Sequence, residues 1–144
     1  MKRMKTDVTV AVDPDPQRAC ETIVEGLVQY NERFLGPRHW LPLAVTARNA
    51  EGAIVGGAYG AIQYDRLVVE LLWIDEAHRG VGLGSRALEE IEAEANRRGA
   101  KRVFLDTFTF QAAPFYEKRG YAEVARIPDY FDGYDRIYLT KPLP

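Results

Sequence analysis

Apolar positions along the chain switch between two periods, and each switch marks an element. Val8, Val10 and Val12 alternate with polar residues, which predicts a first strand. Asp13-Pro14-Asp15-Pro16 then supplies a helix N-cap and a proline in the first turn. Cys20, Ile23, Leu27 and Tyr30 mark one face of the next helix, which should end near Asn31. Residues 32–42 are aromatic and punctuated by proline, and read as a loop. Strands are expected at 43–47 and 54–62, joined by a hairpin turn at 49–52. Glycines 56, 57 and 60 weaken the second of these or leave room for something packed against it.

An unbroken apolar run at 67–74 predicts a further strand. From Leu83 the spacing becomes helical, with Ala87, Leu88, Ile91 and Ala95 on one face and Gly99 as the stop. A strand at 102–106 and a short helix at 112–118, stopped by Gly120, come next. Two last strands, 121–126 and 136–139, flank a loop at 127–135. The order predicts an α/β domain of about seven strands in a mixed sheet, with helices on its faces. One domain over 1–144 is the natural size for such a chain.

Charge narrows the partners. A net charge of −2 over 144 residues argues against nucleic-acid binding by bulk electrostatics. The basic start, Met1 to Lys5, is followed by Thr6-Asp7 where a secretory signal would need an apolar core, and no window approaches a membrane span. A cytoplasmic protein with neither nucleic-acid nor membrane partner is expected. The single Cys20 reads as a buried small hydrophobe rather than a nucleophile. His39 and His78 are far apart and lack Cys partners, so no metal site is expected.

The most informative stretch is Ile74 to Ser85, where a strand empties through Arg79-Gly80-Val81-Gly82-Leu83-Gly84-Ser85 into a helix. Backbone N–H groups at such a turn, with the helix dipole behind them, favour an anion. The first acid of that helix is Glu89, so its positive end is left for a ligand. A dinucleotide fingerprint would want G-x-G-x-x-G and an acid about 20 residues on. Asp106 stands near that distance, but too little chain remains beyond it and the strands ahead come in hairpin order. A Walker loop is excluded because no Gly-Lys-Ser/Thr occurs.

These residues resemble a family. Arg79-Gly-Val-Gly82-Leu-Gly84, after a strand ending Leu72-Trp73-Ile74, is similar to the acetyl-CoA signature R/Q-x-x-G-x-G/A of the GNAT N-acetyltransferases. Phe115 to Tyr121, FYEKRGY, resembles the family's FYEKxGF segment at the family's distance downstream. The resemblance implies a mostly antiparallel twisted GNAT-type sheet and transfer of acetyl from acetyl-CoA to an amine by direct attack. It implies that the turn at 79–85 holds pyrophosphate and that the pantetheine arm lies along Leu72, Trp73 and Ile74, with a bulge there offering an N–H to the thioester carbonyl. Thr109 replaces the Asn usual seven residues before the tyrosine, so Gln111 becomes the candidate amide contact.

Two proton transfers then need groups. An alkylammonium titrates near ~10.4 and must lose a proton to attack. Glu70, a carboxylate interrupting an apolar strand beside Val68, Leu72 and Ile74, is the candidate base, with Asp106 second. Tyr116 matches the family's general acid for the departing thiolate. The acceptor is expected to be a small-molecule amine rather than a protein, with room for a homodimer. Phe34 to Leu41 and the aromatic and acidic stretch Asp129 to Tyr134 are expected to border it. The alternative is a non-catalytic acyl-CoA-binding sensor, which would need neither Glu70 nor Tyr116.

Overall fold

The computed structural model describes residues 7–144, so the basic start, Met1 to Lys5, lies outside the described residues. The chain divides into two compact units, Met1–Arg38 and His39–Pro144. In the first, residues 7–15 form no strand, and Val8, Val10 and Val12 are 70%, 97% and 98% exposed. An alternating segment becomes a strand only when a neighbour takes its hydrogen bonds. Prolines 14 and 16 also remove two donors immediately after it.

Helix α1 spans Pro16–Leu35, with Asp15 accepting from the Arg18 N–H at 3.2 Å. It runs four residues past the expected end because no breaker precedes Gly36-Pro37. Phe34 continues the face of Tyr30, their ring centroids 5.9 Å apart, and Gly36 closes the helix at φ +74°. No residue of α1 is buried, and Cys20 is exposed, contrary to the expectation of a buried thiol.

The second unit holds strands β1 (Trp40–Arg48), β2 (Ile54–Gln63) and β3 (Arg66–Ile74), a 3-10 turn at Glu76–His78, and helix α2 (Leu83–Arg97). Then come β4 (Arg102–Phe108), α3 (Ala113–Glu117), β5 (Ala122–Phe131) and β6 (Tyr134–Pro142). The sheet order is β1-β2-β3-β4-β6-β5, antiparallel throughout except for β3 beside β4. It has six strands rather than about seven, the missing one being Val8 to Val12. β1 begins at Trp40, inside the stretch read as a loop. The expected loop at 127–135 is instead mostly strand, closed by the two-residue turn Asp132-Gly133 at φ +50° and +80°.

The core sits between the sheet and α2, with Ile62, Leu67, Leu88, Ile91, Val103 and Leu139 fully buried. Two features of β3 shape the site. First, Tyr59 faces Leu71 while Gly60 faces Val69, so Glu70 is the extra residue of a β-bulge. A Cβ on Gly60 would collide with the Val68 carbonyl, so glycine there permits the close approach. The bulge also flips the face. Leu67, Val69, Leu72 and Ile74 lie opposite Ile62, Gly60, Ala58 and Gly56, so Val68 does not share a face with Leu72 and Ile74 as simple alternation implies. Second, β3 and β4 pair only from Arg66 to Val68 with Arg102 to Phe104. Beyond that the two strands lose each other, and a gap opens toward α2 and α3.

Candidate active site

A groove of about 740 Å³ lies at that gap, lined by Leu72, Trp73 and Ile74 on one side and the glycine turn on the other. Arg79, Gly80, Gly82, Leu83, Gly84, Ser85 and Gln111 all border it; Val81, 71% exposed, does not. Gly80 and Gly82 both sit at φ +82°, and a Cβ on either would meet nothing within 4 Å. Glycine is needed there for the left-handed backbone and not for clearance. Gly82 caps α2 without a side-chain hydrogen bond, and the first turn carries no acid. The N–H groups of that end and its dipole therefore face the groove uncompensated.

Arg79 donates its Nε to the Ile74 carbonyl at 2.9 Å, which ties the turn to the end of β3. His78 is half-buried, and its Nδ1 lies 3.1 Å from Asp75 Oδ2. Arg119 is a site residue that sequence reasoning misses. Its Nε donates to Ser85 Oγ at 2.8 Å, a second guanidinium nitrogen reaches the same oxygen, and Nη1 donates to the Phe115 carbonyl at 2.8 Å. The guanidinium lies 3.7 Å from the Phe115 ring centroid. A delocalised cation is thus fixed against the first turn of α2, where it adds to the helix dipole. Its place in the FYEKRGY segment is the signal that could have found it.

A smaller pocket of about 210 Å³ opens where β3 and β4 part, lined by Glu70, Leu72, Asp106, Thr107, Gln111 and Tyr116 among others. It brings together the three groups considered for proton transfer. Glu70 is exposed at the bulge and has no hydrogen-bond or ion-pair partner among the described residues. Asp106 is engaged: Arg136 donates Nε and Nη2 to its Oδ2 at 2.9 and 2.8 Å. Tyr116 is 8% exposed, its ring edge-on to Phe115 and Tyr121 at 5.3 and 5.7 Å. Burial pushes its phenol above the ordinary tyrosine value. Pro114 falls in the first turn of α3, where its missing N–H costs nothing.

Gln111 lines both pockets. Its Oε1 accepts from Thr107 Oγ1 at 2.9 Å and from the Phe108 N–H at 2.8 Å, which leaves the amide NH₂ for a ligand. Thr109 instead joins β4 to the β5–β6 hairpin, exchanging hydrogen bonds with Asp135 at 3.1 and 3.2 Å. Among the described residues no His, Cys, Asp and Glu cluster is suited to a metal ion. No described helix is long and apolar enough to cross a membrane.

The parallel strand pair splays beside a glycine turn that feeds an uncapped helix, and Tyr116 lies buried at the same gap. The model of the Acetyltransferase (GNAT) family matches residues 9–121. The chain belongs to this family and is an acetyl-CoA-dependent N-acetyltransferase. It is 42% identical over 106 residues to blasticidin-S acetyltransferase of Streptomyces morookaense, covering 71% of this chain and 78% of that one. It is 30% identical over 132 residues to an acetyltransferase of Agrobacterium fabrum (strain C58), covering 92% and 96%. A crystal structure of an acetyltransferase from Bacillus cereus ATCC 14579 superimposes with a TM-score of 0.83 at 32% identity, over 93% of this chain and 98% of that one.

Proposed function

We propose that the chain, acting as one cytoplasmic domain, acetylates a primary amine of a small molecule by direct attack within a ternary complex. The observation that carries this reading is the 210 Å³ pocket, because it holds Glu70, Gln111 and Tyr116 at the inner end of the splayed strands. The 740 Å³ groove suits coenzyme A in its charge and backbone. Pyrophosphate would take the N–H groups from Gly80 to Ser85, with Arg119 and Arg79 adding charge. The amide-bearing arm would run along Leu72, Trp73 and Ile74, whose β4-facing edge is unpaired, and meet the Gln111 NH₂.

Acetyl-CoA supplies an acetyl group activated as a thioester. This chain's residues do the rest. Past Val68, where β3 has left β4, a backbone N–H near the Glu70 bulge would donate to the carbonyl oxygen as it gains charge. Glu70 accepts the ammonium proton, directly or through a water, since the Asp106 carboxylate is held by Arg136. Tyr116 then donates toward the departing sulfur. A phenol near ~10 and a thiol near ~8.5 make full transfer uphill by about 2 kcal/mol, and burial steepens it. Its contribution is therefore a hydrogen bond to developing thiolate rather than a proton handed over early. A small antibiotic amine is the first acceptor to try, given the resemblance to blasticidin-S acetyltransferase.

Initial rates measured while varying acetyl-CoA and the amine together test the mechanism. Direct attack gives intersecting double-reciprocal lines; parallel lines, with acetyl found on the protein, would contradict it. Glu70→Gln should lower kcat by about 10²–10⁴ at neutral pH and lose less as the pH approaches that of the free amine. An equal loss at every pH would remove Glu70 from the role.

A further inference from the structure

Beside the reaction pocket lies an aromatic surface that takes no part in proton transfer and touches the coenzyme groove only at Phe110. Phe108 stacks on Phe110 with centroids 5.1 Å apart and an interplanar angle of 14°. Tyr134 meets Phe110 edge-on at 4.7 Å, and Tyr130 meets Phe108 edge-on at 5.7 Å. Burial would be the ordinary fate of four such rings, yet Phe110, Tyr130 and Tyr134 are 58%, 52% and 42% exposed.

The surface borders the coenzyme groove directly and is linked to the small pocket through the Asp106–Arg136 pair. Phe110 lines the coenzyme groove. Asp106 lines the small pocket with Glu70 and Tyr116, and its partner Arg136 lies 4.4 Å from the Phe108 centroid and 5.8 Å from that of Tyr130. It is also built rigidly. Asp132 and Gly133, at φ +50° and +80°, form the two-residue turn that Asp-Gly favours, and Asp129 also takes left-handed backbone at φ +46°. The Asp129 carboxylate accepts from the Gly133 N–H at 2.7 Å, and Asp135 accepts from the Asp129 N–H at 3.0 Å. Thr109 fastens Asp135 to the end of β4. Fixed rings cost little ordering entropy when a ligand arrives.

We propose that this surface selects the acceptor: the amine acetylated by this chain carries a planar aromatic or heteroaromatic ring, which docks on Phe110, Tyr130 and Tyr134 while its amine reaches the Glu70 pocket. The proposal rests on the acetyl-transfer reading. Edge-to-face and stacked contacts favour a flat π system over a saturated ring of equal size. The β5–β6 hairpin thereby becomes the specificity element of the enzyme.

Two amines separate aromatic recognition from plain hydrophobicity: 2-phenylethylamine and 2-cyclohexylethylamine. Free thiol release from acetyl-CoA is followed with each, and binding of each is measured independently by ligand-observed NMR. The wild type should favour the aromatic amine roughly tenfold in kcat/KM, with the difference in KM, and should bind it more tightly. Tyr134→Leu and Tyr130→Leu should each pull that ratio toward one through KM, with an unchanged melting temperature showing that the hairpin is intact. A ratio near one in the wild type, or variants that keep the full preference, would overturn the proposal. Variants that change sedimentation but not selectivity would assign the surface to self-association and overturn it equally. Aromatic preference in binding without thiol release from any amine would instead sink the acetyl-transfer reading while leaving ring recognition standing.

Discussion

Phe115 and Tyr121 hold the Tyr116 ring edge-on, and Tyr121 is anchored in turn: its hydroxyl donates to Glu92 Oε2 at 2.8 Å. Lys141 donates to the other oxygen of the same carboxylate at 2.8 Å, so a buried acid is neutralised two rings from the reaction pocket. Tyr116→Phe should cut kcat by about 10²–10⁴ with little change in coenzyme affinity by calorimetry; unchanged turnover would remove its role. Because burial raises the Tyr116 phenol, it stays protonated at neutral and mildly alkaline pH, and kcat should show no falling limb below about pH 10. Lys141→Met leaves the Glu92 carboxylate with a single neutral donor and should cost about 2 kcal/mol in chemical denaturation. A null effect would make the pair incidental. At this scale the glycine turn, Glu70 and Tyr116 stand out in the sequence because each breaks a local pattern or completes a motif, and the fold brings Glu70 and Tyr116 to one pocket. Arg119 was not, since an arginine at a helix end ordinarily reads as solvated and its partner Ser85 lies 34 positions away.

Among elements, β3 and the β5–β6 hairpin depart furthest from what alternation alone implies. The apolar run at 67–74 predicts a strand, and the bulge expected at Leu72 to Ile74 falls instead at Glu70, because its position depends on how Tyr59 and Gly60 are set against β3. Gly60→Ala would force the Val68 carbonyl aside and should destabilise the fold by about 1–3 kcal/mol, with larger losses in kcat than in global stability if the bulge shapes the site. The Asp132-Gly133 pair was present in the sequence as a hairpin signal, but aromatics and acids around it read as loop. Val8 to Val12 shows the opposite error, a strand-like period in residues that form no strand. In the hairpin, Arg126 and then the Asp129 N–H hold the Asp135 carboxyl below its usual value. A depressed folded value contributes stability that is present above the unfolded value of ~3.9 and is lost as pH falls through the folded one. The near-UV aromatic signal of the hairpin should therefore persist down to about pH 4 and fade only in stronger acid. Loss of that signal between about pH 5 and 7 would mean that another group holds the turn.

For the molecule as a whole, the sheet order and the family membership agree on the kind of enzyme, while the acceptor depends on surfaces that a linear pattern hides. The glycine turn and FYEKRGY are contiguous stretches, so the family they belong to can be read along the chain. Rings from 108, 110, 130 and 134 converge only when β4 and β6 pair. The most direct test of the central claim is free thiol release from acetyl-CoA across a panel of small primary amines, blasticidin S among them, with the product identified by mass. Amine-dependent release should be matched mole for mole by N-acetylated amine. Tight coenzyme binding with no release from any amine would contradict it and leave a sensor in its place.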